Sequence, residues 1–139
     1  EKCAPPPDRC GSCIACLDAC PTEAFIKPYV LDANKCISYV TIEYRGEIAP
    51  DLHEKMGDHI FGCDICQDVC PWNRKAATSL EPDFQPRPDL FKPDLEQFSQ
   101  LSEAEFAKVF AGSPVKRTKH SGLLRNVAIA MVNRSQKHC

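Results

Sequence analysis

Cys10-Gly-Ser-Cys13-Ile-Ala-Cys16-Leu-Asp-Ala-Cys20-Pro21 places four cysteines at steps of three, three and four residues. Neighbouring cysteines in so tight a run do not readily reach the Cα separation and Cβ orientation that a disulfide needs. A structural zinc site usually takes two Cys-x2-Cys pairs held apart by a loop and closes a tetrahedron. Here the third and fourth cysteines follow at once, and a proline comes after the last. The pattern C-x2-C-x2-C-x3-C-P is instead the ligand run of a cubane iron–sulfur cluster. In that run three thiolates hold one cluster and the fourth reaches over to another.

That rule predicts a second cysteine group downstream, and the sequence has one in Cys63-Asp-Ile-Cys66-Gln-Asp-Val-Cys70-Pro71. By pseudo-symmetry Cys70, the one followed by proline, completes the group of Cys10, Cys13 and Cys16, while Cys63 and Cys66 share a second group with Cys20. The second group is one ligand short, because Ile60 stands where symmetry asks for a cysteine. Cys36 is the best-placed replacement, since it lies between the motifs. Cys3 and Cys139 sit at the chain ends and are read as spare. The expected fold is mainly α, with a two-cluster core of bacterial-ferredoxin type.

A length of 139 residues fits one domain, or one domain with an incomplete second element. Ten cysteines would suit a secreted disulfide scaffold, but their spacing does not. No apolar run is long enough for a signal peptide or a membrane span, so a reducing, cytoplasmic setting is expected. In that setting the sequon Asn133-Arg-Ser135 carries no meaning. Net charge is only −2, yet residues 1–105 hold all 19 acids against 10 bases, and residues 106–139 hold seven bases and no acid. A basic tail makes an acidic polymer such as nucleic acid a candidate partner. The plainer alternative is a solvated helical face whose counter-charges lie on a missing neighbour.

The organisation follows from local signals. Pro5-Pro6-Pro7 reads as a stiff connector, and a chain that starts at Glu1 without methionine reads as a cut through a longer protein. Residues 13–19 should form one or two helical turns that stop before Pro21. Residues 35–44 read as helix, with Val40-Thr41-Ile42 equally compatible with a strand. Asp51–Met56 reads as a short helix ending at Gly57. Residues 81–93 carry four of the twelve prolines and read as a long surface loop. Ser102-x-x-Glu105 is a capping box, with Leu101 and Phe106 as a hydrophobic staple. A last helix over about 119–133 sets Leu123, Leu124, Val127, Ala128 and Met131 on one stripe. The expected division is a double-cluster domain over 1–80, a Pro-rich linker over 81–95 and a basic helical region over 96–139. That closing helical pair looks like the start of a HEAT-like repeat.

No independent catalytic set is visible. His53, His59, His120 and His138 are scattered and lack ligand or nucleophile spacing, so surface or packing roles are expected. Trp72 beside Pro71 shields a cluster or fills the core. Electron transfer is the chemistry that remains, since cluster potentials are set by hydrogen bonds to sulfur, charge and burial.

The cysteine motifs occur together with Cys36-Ile-Ser38-Tyr-Val-Thr-Ile-Glu43-Tyr-Arg45-Gly46, with Gly62 and Trp72-Asn73 flanking the second motif, and with Gly122-Leu-Leu-Arg125-Asn126. In this combination the chain resembles epoxyqueuosine reductase. The resemblance implies cobalamin and two four-iron four-sulfur clusters, removal of the epoxide oxygen of epoxyqueuosine at the tRNA wobble position, and electrons from a low-potential donor such as ferredoxin or flavodoxin. It implies the same ligand exchange, Cys10, Cys13, Cys16 and Cys70 for one cluster and Cys20, Cys36, Cys63 and Cys66 for the other. It also implies Ser38, Cys63 and Asp64 beside cobalamin and Arg45 toward tRNA. Such a protein would be a monomer without a membrane anchor. The proton donor is expected in an N-terminal domain outside this sequence, so the 139 residues alone are expected to be inactive. The alternatives are a free-standing two-cluster electron carrier and a zinc-stabilised RNA-binding module. Reductive dehalogenases share the cobalamin and cluster plan, but the basic tail gives them no support.

Overall fold

The computed structural model describes residues 7–85, 87, 90 and 94–137. Cys3, Cys139, His138, most of the triple proline and several positions of the Pro-rich stretch lie outside the described residues. Helix α1 spans Ala15–Asp18 and stops short of Pro21, as the proline requires. A small antiparallel hairpin follows, β1 (Phe25–Lys27) with β2 (Val30–Leu31), pairing Phe25 with Leu31.

The next segment begins with a 3-10 turn at Ala33–Lys35, where the Asp32 carboxylate accepts from the Asn34 amide at 3.0 Å. Helix α2 then spans Ile37–Ile42, shorter than the expected 35–44. The β-branched run 40–42 is helical because Val40 and Thr41 turn inward together with Ile37. Helix α3 (Pro50–Met56) starts on a proline, which is pre-set for a first helical turn. It ends at Gly57, whose φ of 55° suits a residue without Cβ. Helix α4 (Ile65–Asp68) carries the second cysteine motif.

The C-terminal part consists of α5 (Leu95–Ser99), α6 (Glu103–Val109) and α7 (Lys119–Lys137). The capping box forms as read: the Glu105 amide donates to Ser102 Oγ at 3.3 Å, and the Ser102 amide to the Glu105 carboxylate at 2.9 Å. Helix α5 had no counterpart among the expected elements. Its N-cap is Asp94, one residue beyond the last proline of the rich stretch, and its side chain accepts from the Glu96 amide. The Pro-rich stretch is largely exposed where it is described, yet it is tied down. Arg87 donates to the Val109 carbonyl at 2.9 Å and to that of Ala111 at 3.4 Å.

Helix α7 joins the two cores. On one side Ile129 packs with Ile37, Val40, Ile48, Leu52 and Met56 of α2, α3 and the loop between them. On the other, Leu123, Val127 and Ala130 pack with Leu95, Phe106 and Phe110. Phe110 lies 5.7 Å from Phe98 and 5.1 Å from Phe106, ring centre to ring centre. Aromatic pairs attract at such separations. The buried stripe therefore departs from the expected one. Ala128 and Met131 face solvent, Leu124 is half-buried, and the inward positions are Leu123, Asn126, Val127, Ile129, Ala130 and Asn133. An apolar-only reading could not find this face, because two of its members are asparagines.

Candidate metal centre

The two cysteine motifs fold as copies of one another. In the first, Leu17 and Asp18 amides donate to the Ile14 carbonyl, Ala19 to Ala15, Cys20 to Leu17 and Glu23 to Cys20. In the second, Gln67 and Asp68 donate to Asp64, Val69 to Ile65, Cys70 to Gln67 and Asn73 to Cys70. The residue before each helix has the same backbone, φ −121° at Ile14 and −112° at Asp64. Helices α1 and α4 pack against each other, which sets the two repeats side by side.

This pairing brings Cys10, Cys13, Cys16 and Cys70 to one cavity of about 540 Å³, with Cys66 also at its wall. Trp72 closes an edge of it rather than filling the core. Its indole N–H donates to the Arg9 carbonyl at 3.0 Å, the Arg9 guanidinium lies 5.7 Å over the ring, and the side chain stays 60% exposed. The cavity wall also includes Tyr29, which donates to Asp8, and Asp8 in turn accepts from the Cys10 amide at 2.8 Å. The Tyr29 hydroxyl and then that amide hold the Asp8 carboxyl below its usual range.

The second group gathers around Cys63. Burial pushes the Cys63 thiol up, the Ile65 amide works against this, and the nearness of Cys36, Cys66 and Cys20 pushes it further. Cys20 behaves differently. Burial disfavours its thiolate, but the Thr22 hydroxyl and the amides of Ala24, Thr22 and Phe25 outweigh that and lower its pKa. The Ala24 amide donates directly to Cys20 Sγ at 3.4 Å. Backbone donors to sulfur of this kind are what set the potential of a bound cluster.

The cysteines of both motifs, and Cys36, are free thiols. Among the described residues no three Cys, His, Asp or Glu side chains close on a point fit for a lone ion. A cubane cluster holds its four thiolates at separate corners, so its ligands stand apart instead of converging. The donor set, two adjacent groups of thiols with amide donors at sulfur, is of the kind that holds iron–sulfur clusters.

Cys36 and Cys63 are both fixed to α2. Cys36 immediately precedes the helix. Ser38 Oγ accepts from the Cys63 amide at 3.0 Å and donates to the Cys63 carbonyl at 3.3 Å. Thr41 Oγ1 accepts from the Gly62 amide at 3.0 Å. Gly62 sits at a φ of 76°, and a Cβ there would meet nothing closer than 3.9 Å. Conformation rather than space therefore calls for glycine. Ser38, Cys63 and the exposed Asp64 thus lie side by side, but the Ser38 hydroxyl is committed to the backbone of Cys63. These three residues alone are too few to enclose a corrin ring.

Arg45 is exposed, and its two terminal nitrogens donate to the carbonyls of Ile42 (2.8 Å) and Arg117 (2.7 Å). Counter-charges for the tail come from this chain's own first part. Arg117 pairs with Glu43, and Arg134 with Asp58 at 3.3 Å. Exposed pairs of this kind contribute little to stability. Arg125 is no free cation either: its guanidinium donates to the carbonyls of Val40, Tyr44 and Gly46. Lys108, Lys116 and Lys119 remain exposed. The described histidines include two used in packing, His53 against the Ile48 carbonyl (2.9 Å) and His120 against that of Leu101 (2.6 Å).

What sequence reasoning missed is a buried polar set, Thr41, Thr118, Asn126 and Asn133, all below a tenth exposed. The only signal for it was the Leu-Leu-Arg-Asn segment, noted for its resemblance and given no structural role.

Residues 9–73 match the family model described as a 4Fe-4S double cluster binding domain. Over 88% of its length the chain is 51% identical to the epoxyqueuosine reductase of Cellulophaga algicola, covering 40% of that protein. Over 93% it is 46% identical to the epoxyqueuosine reductase of Escherichia coli, covering 34% of it. The structure of epoxyqueuosine reductase from Bacillus subtilis matches with a TM-score of 0.87 at 36% identity, over 96% of this chain and 36% of that one. An epoxyqueuosine reductase crystallised with an epoxyqueuosine-modified stem loop of a tyrosine tRNA matches with a TM-score of 0.87, also at 36% identity. The chain thus spans between a third and two-fifths of the length of these curated relatives.

Proposed function

We propose that this chain, which is similar to epoxyqueuosine reductases over nearly its whole length, is the cluster-bearing part of a cobalamin-dependent enzyme that converts epoxyqueuosine to queuosine at the tRNA wobble position. The observation that carries the reading is how far the similarity runs. It passes beyond the cysteine motifs into α7, where Arg125 and Asn126 hold the segments around α2 and Cys63. A free-standing electron carrier would need the cysteine groups alone.

In this reading Cys10, Cys13, Cys16 and Cys70 hold one cluster, and Cys20, Cys36, Cys63 and Cys66 hold the other. Two four-iron four-sulfur clusters supply one-electron transfer when bound, and cobalamin supplies the centre at which the epoxide oxygen is removed. Cys10 and Cys13 are exposed, which presents the first group to a low-potential donor such as ferredoxin or flavodoxin. Cys63 is half-buried beside Ser38 and Asp64, which form one wall toward cobalamin. Arg45, with Lys116 and Lys119 nearby in the tail, faces the tRNA, and the α6–α7 pair opens a HEAT-like region on that side. The catalytic acid is assigned to no residue of this chain. A tRNA substrate places the reaction in the cytoplasm, and no helix among the described residues is long and apolar enough to cross a membrane.

The test is an exchange. Substituted for the matching residues of the Escherichia coli relative, the chain is expected to restore queuosine in the tRNA of a reductase-deficient strain, read by mass spectrometry of nucleosides. The chain alone is expected to leave epoxyqueuosine unchanged. A chimera that carries both clusters and still accumulates epoxyqueuosine would contradict the reading.

A further inference from the structure

We propose that Asn126, on the C-terminal helix, is a positioning residue for the second cysteine group, standing in for the anchor that the second motif lacks. The inference rests on the reading of these thiols as cluster ligands. In the first motif Cys10 precedes Cys13 by three residues and its carbonyl accepts from the Cys13 amide at 2.9 Å, and in the proposed reading its thiolate holds the start of the loop. At the equivalent point of the second motif the chain has Ile60, whose side chain packs into the helical core instead. No sulfur holds the start of that loop. The Asn126 amide group does, donating to the Ile60 carbonyl at 2.9 Å.

The orientation of that amide is fixed by chemistry. Arg125 has only donors to offer, and it gives Nε and Nη2 to Asn126 Oδ1 at 3.1 and 2.9 Å. Nδ2 must therefore face the two carbonyls of Ile60 and Thr41, the latter at 2.8 Å. Thr41 passes the constraint on. Its hydroxyl accepts from the Gly62 amide, and one turn back on α2 Ser38 holds both the amide and the carbonyl of Cys63. Ile60, Gly62 and Cys63 are thus suspended from side chains of α2 and α7, while Cys36 sits at the start of the same α2. Asn126 is wholly buried, so no water replaces the bonds it makes.

Helix α7 contains its own control. Asn133 is also buried, and its amide donates to the carbonyls of His53 and Gly57, neither of which belongs to a cysteine group. The experiment compares Asn126→Ala with Asn133→Ala after anaerobic reconstitution, reading iron, acid-labile sulfide and the paramagnetic resonance signals of the reduced clusters. Asn126→Asp, which keeps the volume but has no donor for either carbonyl, is the second variant should the alanine protein fail to fold. The Asn126 variants are expected to retain about four iron and four sulfide with the first cluster's signal unchanged. Asn133→Ala is expected to retain about eight of each and both signals. Full clusters with unaltered signals in the Asn126 variants, or equal losses in the two alanine proteins, would overturn the proposal. Failure of the unsubstituted chain to take up clusters at all would instead overturn the functional reading beneath it.

Discussion

Replacement of Cys36 by serine is expected to cut the iron of the reconstituted protein from about eight to about four per chain, with sulfide falling in step. The remaining signal should belong to the first cluster, because Cys36 takes no part in the cavity that gathers Cys10, Cys13, Cys16 and Cys70. Cys36 carries this weight because the second motif has no cysteine at Ile60 and because Cys36 is among the thiols that crowd Cys63. Serine at Cys3 or at Cys139 is expected to leave both clusters in place. Retention of about eight iron by the Cys36→Ser protein, with loss in either of the other two, would move the fourth ligand to a chain end.

The second large effect is on stability. Arg125→Lys is expected to destabilise the protein by about 2–4 kcal/mol, measured as a lowered urea midpoint at constant m-value. The guanidinium makes bonds in one plane that an ammonium cannot copy. Nη1 reaches Gly46 at 2.6 Å and Tyr44 at 3.1 Å, and Nη2 reaches Val40 at 2.8 Å. Burial lowers the Arg125 pKa, and the neighbouring Arg45 adds to this. The local bonds are strong enough to keep a charge in so unfavourable a place. Were Arg125 simply one of the tail's charges for nucleic acid, lysine would leave the midpoint where it was.

These two residues mark the limits of what the sequence disclosed. Cluster chemistry constrains spacing directly, so the two motifs and the gap at Ile60 could be read without coordinates. Capping is equally local, and Ser102 with Glu105 formed the predicted box. Tertiary facts were less accessible. The short α5 has too few residues to show a period, and the buried face of α7 includes Asn126 and Asn133, which sequence patterns assign to solvent. The pairing of the tail arginines was hidden for a related reason. A count of charges finds an excess of bases, but it cannot show that Glu43 and Asp58, far earlier in the chain, supply two of the partners. The same count missed the backbone carbonyls that occupy Arg125.

The arrangement also ties together the segments on either side of the Pro-rich stretch. Helix α7 reaches α2 through Asn126 and Arg125, and α3 through Asn133. Thr118 adds a bond of 2.7 Å to the Thr41 carbonyl, with room for its hydroxyl only because Gly122 lacks a Cβ that would lie 2.8 Å from it. The basic C-terminal part is thereby tied to the helix that follows Cys36 and carries Ser38.

The most direct test of the central claim is iron, acid-labile sulfide and zinc measured together on the anaerobically reconstituted chain. Two cysteine groups that each hold a cubane cluster predict about eight iron and about eight sulfide per chain with negligible zinc. Tightly bound zinc in a protein unable to build clusters would contradict the account, and with it the assignment of electron transfer to this chain.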